Sequence, residues 1–139
     1  MIQSKIIASA WAENTGGIYR TELLINQHIL VSDEPKSIGG KDEGPAPGDF
    51  LCMSLASCKV ITLRMYVQRK GWKVDTISVK VDLVKATEME TGNNTFFCEL
   101  KVTGDLDEEQ RIRLLDISKA CPIHKLLNKP SDVVSSLAD

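Results

Sequence analysis

Apolar positions change their rhythm repeatedly along this chain, and each change predicts an element. In the first third they come in short runs, Lys5–Trp11, Ile18–Ile25 and His28–Val31, which read as strands. Glu13-Asn14-Thr15-Gly16-Gly17 lies between the first two and tolerates positive φ, so a hairpin is expected there. The segment Asp33–Gly48 is rich in Pro and Gly and predicts an irregular loop. From Pro47 to Lys70 the apolar residues leave no clean polar stripe. Pro47 suits a first helical turn and Gly71 a stop. A helix that is apolar nearly all round must be covered on all sides. A chain this short has little material for that, so an obligate dimer with this helix near its centre is expected.

Further on, Ile77, Val79, Val81 and Leu83 alternate with Ser78, Lys80 and Asp82. Phe96, Cys98, Leu100 and Val102 alternate with Phe97, Glu99 and Lys101. Period two predicts two half-buried strands, joined through a turn over Glu88–Asn94. Asp107–Ala120 reads as a second helix, with Asp107 as its cap and Gln110 completing a capping box. Pro122 disfavours helical geometry at Cys121, so that helix should end there. A short turn, Ile123–Leu127, and an extended piece, Val133–Leu137, complete the pattern. Strands, helix, strands, helix is an α+β order without the βαβ repetition of a parallel sheet.

Composition narrows the function classes. The 139 residues are 42% hydrophobic and 26% charged with a net charge of -2, which fits one globular domain spanning 1–139. Scattered Lys and Arg form no basic face, so no nucleic-acid partner is expected. The N-terminus has no secretory pattern, and no stretch approaches the roughly 20 apolar residues of a spanning helix. A cytoplasmic location without membrane partners is the expectation. In such a reducing compartment, four cysteines point to catalysis, redox cycling, metal binding or packing sooner than to a disulfide framework.

Taken residue by residue, Cys58 in the apolar helix reads first as a small buried hydrophobe. A reactive thiolate there needs a cation or hydrogen-bond donor. Its helical neighbours Ser54, Leu55, Ile61 and Thr62 supply no cation, so an activating cation must come from elsewhere in the fold or from another subunit. Cys121, in Cys121-Pro122-Ile123-His124, is either buried at a junction or presented by the chain break. His124 reads as a surface residue, and Cys52 and Cys98 as packing residues. Cys58, Cys121 and His124 fall short of the four close ligands of a structural zinc site, so no metal or cofactor is expected.

Five short blocks nevertheless form a recognisable set. Gly44-Pro45-Ala46-Pro47-Gly48-Asp49-Phe50-Leu51 leads into Leu55-Ala56-Ser57-Cys58 and Thr62-Leu63-Arg64-Met65-Tyr66. Gly104-Asp105-Leu106-Asp107-Glu108-Glu109-Gln110-Arg111 leads to Cys121-Pro122-Ile123-His124-Lys125. The chain resembles the OsmC/Ohr family over nearly its whole length, in a less-characterised branch. The resemblance implies an intertwined α+β homodimer, with antiparallel sheets wrapped around central cysteine-bearing helices.

It also implies reduction of organic hydroperoxides. Cys58 would be the peroxidatic thiol, Cys121 the resolving one, and a lipoyl-type dithiol or small thiol the reductant. Family members carry a Glu just after the helix-opening proline, salt-bridged to an Arg that holds the thiolate. Here Gly48 follows Pro47, Asp49 is the nearest acid, and Arg20 is the nearest arginine. Ile18 competes with Arg20 for the matching position, and Arg64 is a further candidate. The competing reading is a redox-responsive or metal- or ligand-binding protein that uses the same cysteines without turnover.

Overall fold

A computed structural model describes residues 5–138. The chain divides into two compact units, one up to Phe50 and one from Leu51.

In the first unit, β1 (Trp11–Glu13), β2 (Thr21–Ile25) and β3 (His28–Ser32) form an antiparallel sheet in the order β1-β2-β3. Trp11 pairs with Leu24, and Leu23 with Leu30. Two sequence expectations shift here. The first strand covers Trp11–Glu13 and not Lys5–Trp11; Lys5–Ala10 is exposed and outside any strand. The second begins at Thr21 and not at Ile18, because the turn is longer than its glycines indicate. The Asn14 side-chain amide donates to the Ile18 and Arg20 carbonyls at 3.2 and 3.0 Å. Ile18 is itself left-handed, at φ 38°.

The loop after β3 is organised by Asp33, whose buried side chain accepts from the amides of Glu34, Lys41 and Glu43. Burial pushes its carboxyl upward, but those three amides outweigh burial and leave it below the ordinary carboxylate range. The chain doubles back so closely that a side chain on Gly40 would strike the Glu34 backbone.

The central helix, α1, spans Pro47–Lys70 as its punctuation predicts, and Gly71 leaves it at φ +67°. In the second unit it is followed by the hairpin β4 (Lys73–Val84) and β5 (Thr95–Asp105). Ile77 faces Val102, and Val79 faces Leu100 in register. Helix α2 (Glu108–Ile117) starts with the predicted Asp107–Gln110 capping box and ends earlier than expected, in a tighter turn over Ser118–Ala120. Helix α3 (Pro122–Leu127) follows directly.

Leu63, Tyr66 and Val67 of α1 meet Leu114 of α2 in the core, with Ile77, Leu100 and Val102 packed against them from the hairpin. Val133–Leu137 forms no strand; Val133, Val134 and Leu137 are exposed.

The burial of α1 is one-sided. Leu55, Lys59, Leu63, Tyr66 and Val67 are buried, at the three- and four-residue spacing of one helical face. Ile61 and Met65 on the opposite side are exposed, as are Met53 at the margin and Leu51 one turn before Leu55. The expectation that no stretch is long enough to span a membrane needs correction. By length and composition α1 is, with a mean hydropathy of 1.4 over 18 residues, 28% of them buried. Its interspersed Ser, Cys and Thr disguise the run but weigh little in a transfer average.

Candidate functional site

The two cysteines singled out by sequence come together in the second unit, 63 positions apart in number but side by side in space. Cys58 is half-buried on α1, next to the buried row. Cys121 is fully buried at the break between α2 and α3. Pro122 supplies the first position of α3, leaving Cys121 as its cap at φ -56°, ψ 126°. The Cys121 Sγ accepts from the His124 backbone N–H at 3.5 Å.

Burial, and then hydrogen bonding to the neighbouring Cys58 side chain, push the Cys121 thiol upward. The His124 amide, and then that of Ile123, oppose this without reversing it. Cys121 is therefore a protonated thiol at neutral pH, placed beside Cys58.

A residue that the sequence reading missed stands one position beyond Cys58. Lys59 occupies the buried row of α1 between Leu55 and Leu63, with 2% of its surface exposed. Its ammonium donates to the Ser118 carbonyl at 2.8 Å and contacts His124 Nδ1 at 2.9 Å. A charged lysine can only donate, so Nδ1 accepts and the imidazole proton sits on Nε2. Nε2 lies 3.2 Å from Asn128 Nδ2, so this tautomer calls for the Asn128 amide to be flipped to present its oxygen. His124 is thus a half-buried structural partner and not a plain surface residue. Burial first, then the charges of Lys59 and Lys119, hold its pKa below the ordinary histidine value. The signal that could have found Lys59 is its i+4 spacing from Leu55 and to Leu63, which puts a cation on an apolar stripe.

Lys59 and His124 also border a cavity of about 400 Å³, walled by Leu55, Phe96, Leu100 and Leu127. Cys98 opens onto it. Burial raises the Cys98 thiol, the Lys59 charge partly offsets this, and Cys52 adds to the rise. A high thiol pKa fits the packing role expected of Cys98.

The charged candidates have partners of their own. Arg20 forms an ion pair with Glu43 at 3.0 Å, and the Asp49 carboxylate accepts from the Ala46 amide at 3.0 Å, at the start of α1. Arg20 and Asp49 are therefore not paired with each other. Arg64 donates to the Val74 and Asp75 carbonyls at 3.1 and 3.2 Å. The metal reading gains no geometry: among the described residues no three His, Cys, Asp or Glu side chains gather where they could hold an ion.

Comparison with known proteins decides the family. The model for OsmC-like proteins matches residues 40–136, which include both cysteines, Lys59 and His124. The chain belongs to the OsmC family. No curated protein matches it. Among solved structures, a chain from Psychrobacter arcticus, described as an osmotic stress induced and detoxification response protein, is 19% identical. Its TM-score is 0.72, with 90% of this chain and 91% of that one covered. The OsmC-like protein of Mycoplasma pneumoniae is 20% identical, covering 86% of each chain, with a TM-score of 0.69. The organic hydroperoxide resistance protein OhrB of Bacillus subtilis is 20% identical, at a TM-score of 0.58, covering 87% of this chain and 90% of that one. At these identities the likeness establishes the α+β fold with antiparallel sheets.

Proposed function

We propose that this protein is a cytoplasmic, homodimeric thiol peroxidase that reduces organic hydroperoxides, with Cys58 peroxidatic and Cys121 resolving. The observation that carries the reading is the placement of Cys58 beside the buried thiol of Cys121 at a helix break. The Cys58 thiolate attacks the terminal peroxide oxygen, and the O–O bond breaks. The alkoxide takes up a proton and leaves as alcohol, while Cys58 becomes a sulfenic acid. Cys121 gives up its proton and attacks the Cys58 sulfur. The sulfenic oxygen leaves as water, and a disulfide joins the pair. A dithiol, of lipoyl type or supplied as a small thiol, returns both cysteines to thiols by exchange and is itself oxidised.

Arg20 stands in this reading as the residue that the family resemblance assigns to the activating arginine. Glu43 takes the role of the acid that holds it, while Asp49 fixes the start of the cysteine-bearing helix. A second copy of the chain completes the assembly. Exposed Leu51, Met53, Ile61 and Met65 on α1 support this, since large apolar side chains left uncovered on one helix suit an interaction surface.

Turnover of cumene hydroperoxide with dithiothreitol, in the parent, Cys58→Ser and Cys121→Ser, tests the chemistry. Peroxidase activity surviving in Cys58→Ser overturns it. Sedimentation of the parent against Met65→Glu tests the assembly, with a dimer expected for the first and dissociation for the second.

A further inference from the structure

Lys59 is costly where it stands. Withdrawing an ammonium from water is unfavourable unless hydrogen bonds inside the protein replace those to water. Among the described residues no carboxylate pairs with it. What it has instead are two neutral acceptors, and their positions in the chain are informative. The Ser118 carbonyl lies three residues before Cys121, and the His124 ring three residues after. The ammonium therefore grips the Cys121 turn on both sides. Lys59 is also covalently next to Cys58, so the same side chain ties the turn bearing one thiol to the turn bearing the other. The His124 backbone N–H holds the Cys121 sulfur itself. Ser118 is locked in addition by its own hydroxyl, which donates to the Leu115 carbonyl at 2.6 Å.

We propose that Lys59 is a positioning residue for the resolving step, clamping the Ser118–His124 segment so that the Cys121 thiol stays within reach of Cys58. The proposal rests on the peroxidase reading for its physiological meaning, but its geometry concerns disulfide formation by any oxidant. The hydrogen bonds of Lys59 go to Ser118 and His124 and not to the Cys58 sulfur. Removal of Lys59 should leave the first chemical step intact and slow the second. Charge-assisted hydrogen bonds are the stronger kind, and two of them converge on one atom. Losing both frees the segment. A displacement near 1 Å in a reacting pair costs roughly 100-fold in rate.

The test compares the parent with Lys59→Met, His124→Leu and His124→Asn, the last retaining an acceptor oxygen near the Nδ1 position. After one equivalent of cumene hydroperoxide, two quantities are followed by mass spectrometry. These are sulfenic acid at Cys58, trapped with dimedone, and the Cys58–Cys121 disulfide. Lys59→Met and His124→Leu should form sulfenic acid at the parental rate. They should form the disulfide roughly 10- to 100-fold more slowly, with sulfinic acid accumulating at Cys58. His124→Asn should recover most of the disulfide rate.

Parental disulfide rates in both Lys59→Met and His124→Leu overturn the clamp. So does a parallel fall in both steps, which would make Lys59 part of the first. His124→Leu keeps the question answerable if Lys59→Met does not fold. Oxidation by diamide separates this proposal from the peroxidase reading. A parent inert to hydroperoxides sinks that reading, while diamide-driven disulfide formation, slowed in Lys59→Met, still upholds the clamp.

Discussion

Each unit of this chain withdraws one charged residue from solvent, Asp33 in the first and Lys59 in the second, and the two are put to different uses. In the unit up to Phe50, charges sit near water and serve local geometry. Arg20 and Glu43 pair with both side chains more than two-fifths exposed, and Asp49 caps the start of α1. Asp33 is the exception in burial but not in purpose, since its carboxylate gathers the amides of a loop. In the unit from Leu51, one cation is withdrawn from solvent and set between neutral acceptors flanking a buried thiol. A solvated charge is replaceable at small cost. A buried one dictates the positions of whatever satisfies it.

The largest effect expected from breaking this contrast is chemical. Cys58→Ser should reduce hydroperoxide turnover to background, because a hydroxyl lacks the thiolate on which the first step depends. Cys121→Ser should behave differently. It should consume about one equivalent of peroxide and then stall or over-oxidise, as expected of a sulfenic acid with no partner thiol. Single-turnover kinetics with dimedone trapping distinguish the two. Equal losses of the first turnover in both variants would erase the division of labour between the thiols.

Next in size is the core that holds the pair. Leu63 is fully buried between α1 and α2, and Leu63→Ala should lower unfolding stability by about 2–5 kcal/mol. Arg20→Ala removes a pair with both partners well exposed, for which about 0–1 kcal/mol is the usual scale. Urea melts of the two variants check the ratio. A loss for Arg20→Ala as large as for Leu63→Ala would contradict the reading of the first unit as locally satisfied. Arg20→Ala should nonetheless slow sulfenic acid formation if Arg20 is the cation that supports the Cys58 thiolate. Stability and the first-step rate should thus respond separately at this residue.

Much of this arrangement was legible in sequence, for identifiable reasons. Pro47 and Gly71 bound α1 because one lacks the amide a first turn does not need and the other enters left-handed backbone freely. The β4–β5 hairpin follows from alternation, and α2 from a reciprocal cap. Pro122 gave away the break that presents Cys121. Other features escaped because they depend on partners distant in the chain. Lys59 passes unnoticed in a sequence reading. Its acceptors lie 59 and 65 residues away, and nothing local announces them. The Lys5–Trp11 run failed as a strand for the same kind of reason. Apolar rhythm shows what a segment can do, whereas pairing with β2 involves only Trp11–Glu13.

The smallest effect predicted is on stability against pH, and its sign is fixed by His124. Burial and the adjacent Lys59 and Lys119 charges keep its folded pKa below that of the unfolded chain, about 6.5 for histidine. Above that value the ring is neutral in both states and costs nothing. As pH falls below it, the unfolded chain takes up a proton that the folded one resists, so folded stability declines. The decline continues until the folded pKa is passed, where the ring becomes a second cation facing Lys59 and can no longer accept its hydrogen bond. Carboxylates such as Asp33, whose folded pKa is also lowered, add a loss of the same sign at more acidic pH, near the ordinary aspartate range. The two contributions are separable by window. In urea melts from pH 7.5 to 5, His124→Asn should have a flatter profile than the parent, and Asp33→Asn should leave that interval unchanged. Parallel profiles for the parent and His124→Asn would mean that the ring does not carry the charge-sensitive end of the Lys59 contact.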